Sequence, residues 1–195
     1  GLTTRQAAKT VPFWMMMITG VAIAAGFYIV AAHIVPAATD AGISPTAAAL
    51  ILTVSGLVGI PGGIAGTWWL SKTLGHKKAL LLACAGQAVA FFLFLPTSSL
   101  WAFCLVAALL GFCFAVSTPV RQAMVPPLFG LRSIGAVLGF AYLAWSAGAV
   151  AGPILAGLIY DHTGSYDLAF ILGGALLVIG TLSVYVWGDH KRTSR

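Results

Sequence analysis

Of the 195 residues, 60% are hydrophobic and only 7% charged, and the mean hydropathy is +1.01. A water-soluble domain carries roughly a quarter charged residues, so the soluble globular classes are excluded. The net charge of +6 does not point to nucleic acid, because the bases stand at the ends of apolar runs, where they orient a chain in a membrane and meet anionic headgroups.

Six apolar stretches, near residues 12–36, 44–70, 79–96, 98–120, 133–159 and 168–187, fill a single domain 1–195. Each is close to or above the roughly 20 residues that a helix needs to cross a bilayer. Backbone groups in lipid must be satisfied internally, and continuous runs rather than ten-residue alternating segments choose helices over a barrel. The predicted fold is therefore all-α, a polytopic membrane protein of six transmembrane helices. Threaded back and forth, it gathers Arg5, Lys9, Lys72, Lys77, Lys78, Arg121, Arg132, Lys191, Arg192 and Arg195 on one side, while Asp40, Asp161 and Asp167 fall on the other. Basic loops resist translocation, so both termini are expected in the cytoplasm. The plasma membrane, in bacteria the inner membrane, is the expected location.

In chain order, the polar opening GLTTRQAAKT begins with Gly1 rather than Met and reads as a connecting loop with more chain upstream. Pro12 marks the start of the first span and Pro36 its end. His33, near the outer end of the first span and on the face shared with Thr19 and Gly26, is the one intramembrane ionisable candidate there. It is placed either to bind a proton or a substrate, or to sit at the polar interface. Ser44 should cap the second span, with Pro45 at its first position. There Gly56, Gly59, Gly63 and Gly66 fall on one narrow face. Such a stripe serves close helix packing, within one bundle or at a domain interface. Pro61 should bend this helix.

Cys84, Cys104 and Cys113 lie inside spans, odd in number and without CxxC spacing, and read as small hydrophobes. The fourth span should end around Ser117, Thr118 and Pro119. Arg121, one turn beyond, either snorkels to headgroups or draws an anionic solute to the inner mouth. In the fifth span, Tyr142 and Ser146 share a face with Trp145 beside them, a group suited to lining a pocket for a small polar molecule. Gly135 and Gly139, then Gly148 and Gly152, form two small-xxx-small pairs on different faces. The last span, the least polar, is read as lipid-facing. The chain has no glutamate, no HExxH, no paired intramembrane acids and no Cys/His cluster. No catalytic residue, metal or cofactor is expected, and an enzyme is not the reading.

The segments PPLFGLRSIGAVLGF, GPILAGLIYDHTGSYDLAFILGG and HIVPAATDAGIS resemble the major facilitator superfamily, in particular its monocarboxylate and oxalate/formate branch. The resemblance covers nearly the whole chain. It implies the C-terminal half of a twelve-helix transporter with its substrate between two six-helix halves. The spans here become helices seven to twelve, and helices eight and eleven, with their glycine faces, meet the missing N-terminal half. The implied function is transport of a small organic solute, such as a monocarboxylate, by alternating access, with a proton or counter-substrate as the coupled species. Substrate-pathway candidates are His33, Ser117, Thr118, Arg121, Tyr142, Trp145 and Ser146. Two departures matter. Ser71 stands where the family's inner loop carries an acid. The two bases of the oxalate/formate members are absent, with Ile60, Gly62 and Gly63 around one position and Gly148 around the other. A dicarboxylate is therefore not expected. The alternative is a self-contained six-span scaffold or partner subunit, or a homodimer joined through the glycine faces.

Overall fold

A computed structural model describes residues 1–187, and these are helical with no strand among them. The basic tail Lys191, Arg192 and Arg195, expected at the cytoplasmic end, lies outside the described residues. Six helices are long and apolar enough to cross a membrane: α1 (Val11–Asp40), α2 (Pro45–Leu74), α3 (His76–Phe94), α4 (Leu100–Ala123), α5 (Ile134–Thr163) and α6 (Asp167–Trp187). The molecule is a multi-pass membrane protein. At 1.5 Å per residue, the 30-residue α1, α2 and α5 are each about 45 Å long, enough for the hydrocarbon core and both headgroup layers. The helices therefore run a turn or more past the apolar runs.

Short connections explain how the rods turn back. Ser44 caps α2 by accepting the Ala47 N–H at 3.4 Å, with Pro45 at the first position as expected. Ser99 does the same for α4 through Ala102. Gly164 ends α5 in the left-handed region (φ +69°), its N–H returning to the Tyr160 carbonyl at 2.8 Å. Only glycine adopts that conformation without strain. We call the end bearing Arg5, Lys9, Lys72, Lys77, Lys78 and Arg132 the basic end, and the end bearing Asp40, Asp161 and Asp167 the far end.

Two proline-based boundaries are corrected. Pro36 lies inside α1, which runs on to Asp40, and Pro119 lies inside α4, which continues to Ala123 before the short helix Val125–Phe129. A proline removes one backbone donor but need not stop a helix where neighbouring groups absorb the loss. The carbonyl left without its helical donor by Pro119 is that of Ala115; one residue before it, the Ser117 and Thr118 hydroxyls both donate to the Phe114 carbonyl, at 2.8 and 3.1 Å. After Pro61 the backbone of α2 widens into a π-helical turn over Ala65–Leu70, and Ser71 donates its hydroxyl to the Gly66 carbonyl inside that turn.

Helix α1 is the centre of the bundle, packed against α5, α6 and α2, while α4 lies on α2 and α3, and α3 on α6. Two apolar clusters fill it. One, toward the far end, includes Ile34, Phe91, Phe94, Phe103 and Phe170; the other, toward the basic end, includes Phe13, Met16, Leu80, Val120 and Phe129. The least polar helix, α6, is not simply lipid-facing: it sits between α1 and α3 and buries Ala169, Phe170, Leu177 and Val184. The least buried are α2 and α5, with 22% and 17% of their most apolar windows inside, against 61% for α1.

Most of the glycines on the α2 stripe, and one of the two α5 pairs, pack within this bundle. Cβ atoms on Gly62 and Gly66 would lie 2.8 Å from Phe112 and Val116 backbone of α4, and Gly59 and Gly63 face the Gly111 and Ala115 carbonyls at 3.6 and 3.8 Å. Gly148 and Gly152 press on the Val21 and Ala25 backbone of α1. Gly56, like Gly135 and Gly139, has nothing within 4 Å. A homodimer joined through the glycine faces would have to break this packing, and the surfaces that α2 and α5 turn outward are large side chains such as Leu57, Ile60, Val150 and Ile154.

Thr19 of α1 and Ser183 of α6 meet at 2.6 Å, and both are buried. Each also reaches a carbonyl of its own helix, Met15 and Gly180, so one hydroxyl hydrogen is shared across the interface. Interhelical hydroxyl pairs in membranes contribute about 0.6 kcal/mol. A Thr19→Val/Ser183→Ala double-mutant cycle, read by thermal or denaturant unfolding in detergent, is expected to give a coupling of about that size.

Candidate functional site

Because α4 runs past Pro119, Arg121 is held by helix rather than by loop. It does not snorkel. Only 2% of the residue is exposed, and it is the largest fully buried side chain in the described structure. Ser117 and Arg121, four residues apart, share a face of α4. The room comes from α1: a Cβ on Gly20 would sit 3.0 Å from Arg121 Nη1. The guanidinium carbon lies 5.2 Å from the centre of the Trp145 ring of α5, a cation–π contact.

That ring continues a column of aromatics. Trp145 tilts against Phe114 at 5.7 Å, and Phe114 stacks on Phe27 at 3.7 Å, joining α5, α4 and α1. Around it, Gln122 donates to the Tyr142 hydroxyl at 3.0 Å. Tyr142 and Ser146 are exposed, and Trp145, Thr118 and Phe114 are half-buried. On the other side, Gln87 of α3 is fully buried and donates to the Ala83 carbonyl and the Ser117 hydroxyl at 3.3 and 3.4 Å.

Charge is not balanced here. Arg121 Nε and Nη1 have no hydrogen-bond partner, and neither has Gln87 Oε1. The chain has no glutamate, and each described aspartate stands at the far end. A buried unpaired ion costs several kcal/mol even after relaxation, whereas a desolvated cation–π contact returns about 2. Within these helices the guanidinium is under-compensated, and its unpartnered N–H groups could donate charge-assisted bonds to an anion.

The structure thus brings Ser117, Thr118, Arg121, Tyr142, Trp145 and Ser146 into one region of α4 and α5. His33 is elsewhere. Thirteen residues along α1 from Gly20, it is about 20 Å further up the axis, half-buried, with Nε2 2.9 Å from the Pro153 carbonyl and Nδ1 3.4 Å from the Tyr166 hydroxyl. It does not share a neighbour with Thr19 and Gly26, which face α6; a helix drifts about 20° per seven residues, and two such steps carry the face around to α5. Gly20, Phe27, Gln87 and Phe114 were missed by sequence reasoning. A glycine or glutamine inside an apolar run was the available signal, without any pointer to what it meets. An apolar groove of about 240 Å³ between α1, α5 and α6, floored by Val21, Ala25 and Ile29, contains none of these polar groups.

Residues 14–195 match the family model of the Major Facilitator Superfamily. The chain belongs to that superfamily. Among its relatives are rat monocarboxylate transporter 13, 29% identical over 87% of this chain and 40% of its own length, and rat monocarboxylate transporter 10, 35% identical over 60% and 24%. The hexuronate transporter of Bacillus subtilis strain 168 is 27% identical over 67% of this chain and 33% of its own length. The chain spans at most two fifths of the length of these relatives. Its six helices fit half of a major facilitator fold, on the monocarboxylate-transporter-like side of the superfamily.

Proposed function

We propose that this chain forms the C-terminal half of a transporter for a small organic acid with one carboxylate, moved by alternating access against an N-terminal six-helix half. The observation that carries this reading is Arg121, a buried cation without an acid near it, set against the Trp145 face in an aromatic column. A single fixed charge suits a monoanion, and the named substrates of the relatives, monocarboxylate and hexuronate, are carboxylates. The exposed apolar faces of α2 and α5 are the surfaces available to the other half, which fits two halves rocking about a midplane site. Both termini of this half lie on the cytoplasmic side of the plasma membrane, in keeping with the basic end. A proton or a counter-substrate is the coupled species.

The test uses full-length protein in proteoliposomes and labelled two- to four-carbon monocarboxylates, with a hexuronate in parallel. Uptake of at least one acid is expected, competed by other monocarboxylates and at least tenfold less well by the matching neutral amide, because each 1.4 kcal/mol of lost charge pairing is a factor of ten. Equal competition by the amide, or uptake of none of the acids, overturns the reading.

A further inference from the structure

Helices α2 and α3 turn back on each other at the basic end through Gly75, whose φ of +81° needs glycine. Both then pack on α4, and a groove of about 110 Å³ is left between them. Leu70 of α2, Ala79, Leu82 and Ala83 of α3, and Phe112 and Val116 of α4 line it. A second groove, of about 240 Å³, runs between α3 and α6 past Ala85, Val89, Val178 and Leu182. Lys78, Leu82, Ala85 and Val89 recur at helical spacing, so one outward face of α3 leads from the lysine along both grooves. Cations gather at the mouth. The Lys72 ammonium lies 4.7 Å from the centre of the Trp68 ring and that of Lys77 lies 5.3 Å from the Tyr185 ring, while Lys72, His76 and Lys78 are exposed. Such rings sit at the level where headgroups meet hydrocarbon. The first turn of α3 carries no acid and no side-chain cap, and the Ser71 hydroxyl is spent on the Gly66 carbonyl.

We propose that this surface binds an anionic phospholipid of the leaflet at the basic end, its headgroup on Lys72 and Lys78 and its acyl chains along the two grooves. A zwitterionic lipid brings an ammonium to the same place and meets both lysines with a like charge. A small free anion is served by the lysines but leaves the grooves empty of it. An anionic phospholipid matches the cations and the apolar furrows together. The groove between α1, α5 and α6 supplies the contrast, since it runs out past Ile159 and Ala169 toward the far end, where Asp161 and Asp167 stand. Held between α2 and α3, the lipid bridges two helices whose main support at this end is α4. Because it binds the folded bundle, it stabilises that state by mass action. The site is independent of the solute carried.

The test is native mass spectrometry of full-length protein in detergent, titrated with dioleoyl phosphatidylglycerol or dioleoyl phosphatidylcholine. Each interfacial lysine strengthens the hold on an anionic lipid roughly fivefold, so two lysines predict a preference of about 25-fold for phosphatidylglycerol. Lys72→Gln/Lys78→Gln is expected to bring that preference close to one, with each single variant between. Arg5→Gln/Lys9→Gln, at the same end but on the α1 side, should keep it. Phosphatidylglycerol should also raise the melting temperature of the wild type and leave that of Lys72→Gln/Lys78→Gln unmoved. Glycerol phosphate, a headgroup without tails, should not displace the lipid at equal concentration. Equal affinity for the two lipids overturns the proposal, as does a preference that survives Lys72→Gln/Lys78→Gln or falls as far in Arg5→Gln/Lys9→Gln. Displacement by glycerol phosphate also overturns it and assigns the lysines to a free anion.

Discussion

Replacing Arg121 by glutamine should lower initial uptake of the transported acid about 100-fold at subsaturating concentration while raising, not lowering, the melting temperature in detergent. The first effect follows from losing a charge-assisted bond to carboxylate worth about 3 kcal/mol, two factors of ten. The second follows from the buried, uncompensated state of the guanidinium: removing an ion with no partner removes its desolvation cost. The pairing of opposite signs is diagnostic, because a purely structural arginine would lose both properties together. Arg121→Lys keeps the charge but neither the planar fork nor the flat contact with Trp145, and is expected to retain about a tenth of wild-type uptake. Radiolabel uptake in proteoliposomes and thermal-shift fluorescence on the same preparations check all three outcomes. Full uptake by Arg121→Gln would remove Arg121 from the substrate pathway.

The six spans were legible because a bilayer imposes a one-dimensional rule: about 20 apolar residues per crossing, with bases held on one side. Ser44 and Pro45 were legible for a similar reason, since capping is local chemistry. The ends at Pro36 and Pro119 were not, because whether a helix survives a proline depends on what its neighbours do with the freed groups. Extending α4 by those few residues changed the meaning of Arg121. Read along the chain, it stood at a span end with water or headgroups in reach. In three dimensions it is covered by Gly20 of α1 and Trp145 of α5, residues 101 and 24 positions away, and no local pattern predicts that meeting. The glycines show the same limit. Spacing identified a stripe on α2 and two pairs on α5, but Gly59, Gly63 and Gly66 proved to meet α4, Gly148 and Gly152 to meet α1 of this same half, and Gly56, Gly135 and Gly139 to meet nothing within 4 Å. For His33, sequence placed it near the end of a span; the Pro153 carbonyl and Tyr166 hydroxyl that its ring meets come from more than 100 residues away.

The seam glycines carry the largest expected effect on stability, and Gly56 supplies the control. A Cβ on Gly111 of α4 would drive into the Ser55 carbonyl of α2, and one on Gly148 of α5 into the Val21 carbonyl of α1. Backbone cannot swing aside as a side chain can, so the two helices of each pair must separate. In lipid, helix association rests on close packing rather than on exclusion of water, and separation forfeits dispersion contacts along the whole seam. Gly111→Ala and Gly148→Ala are each expected to destabilise the fold by about 2–3 kcal/mol, the upper range of overpacking. At Gly56, in the same helix class with nothing within 4 Å, the change should be neutral or stabilising by up to about 1 kcal/mol, because alanine is the better helix former. Unfolding in detergent, followed by tryptophan fluorescence, separates the three variants. Helix propensity alone would make all of them stabilising. A loss at Gly111 and Gly148 with none at Gly56 is the signature of α4 on α2 and α5 on α1, the arrangement that places Arg121 beneath Trp145.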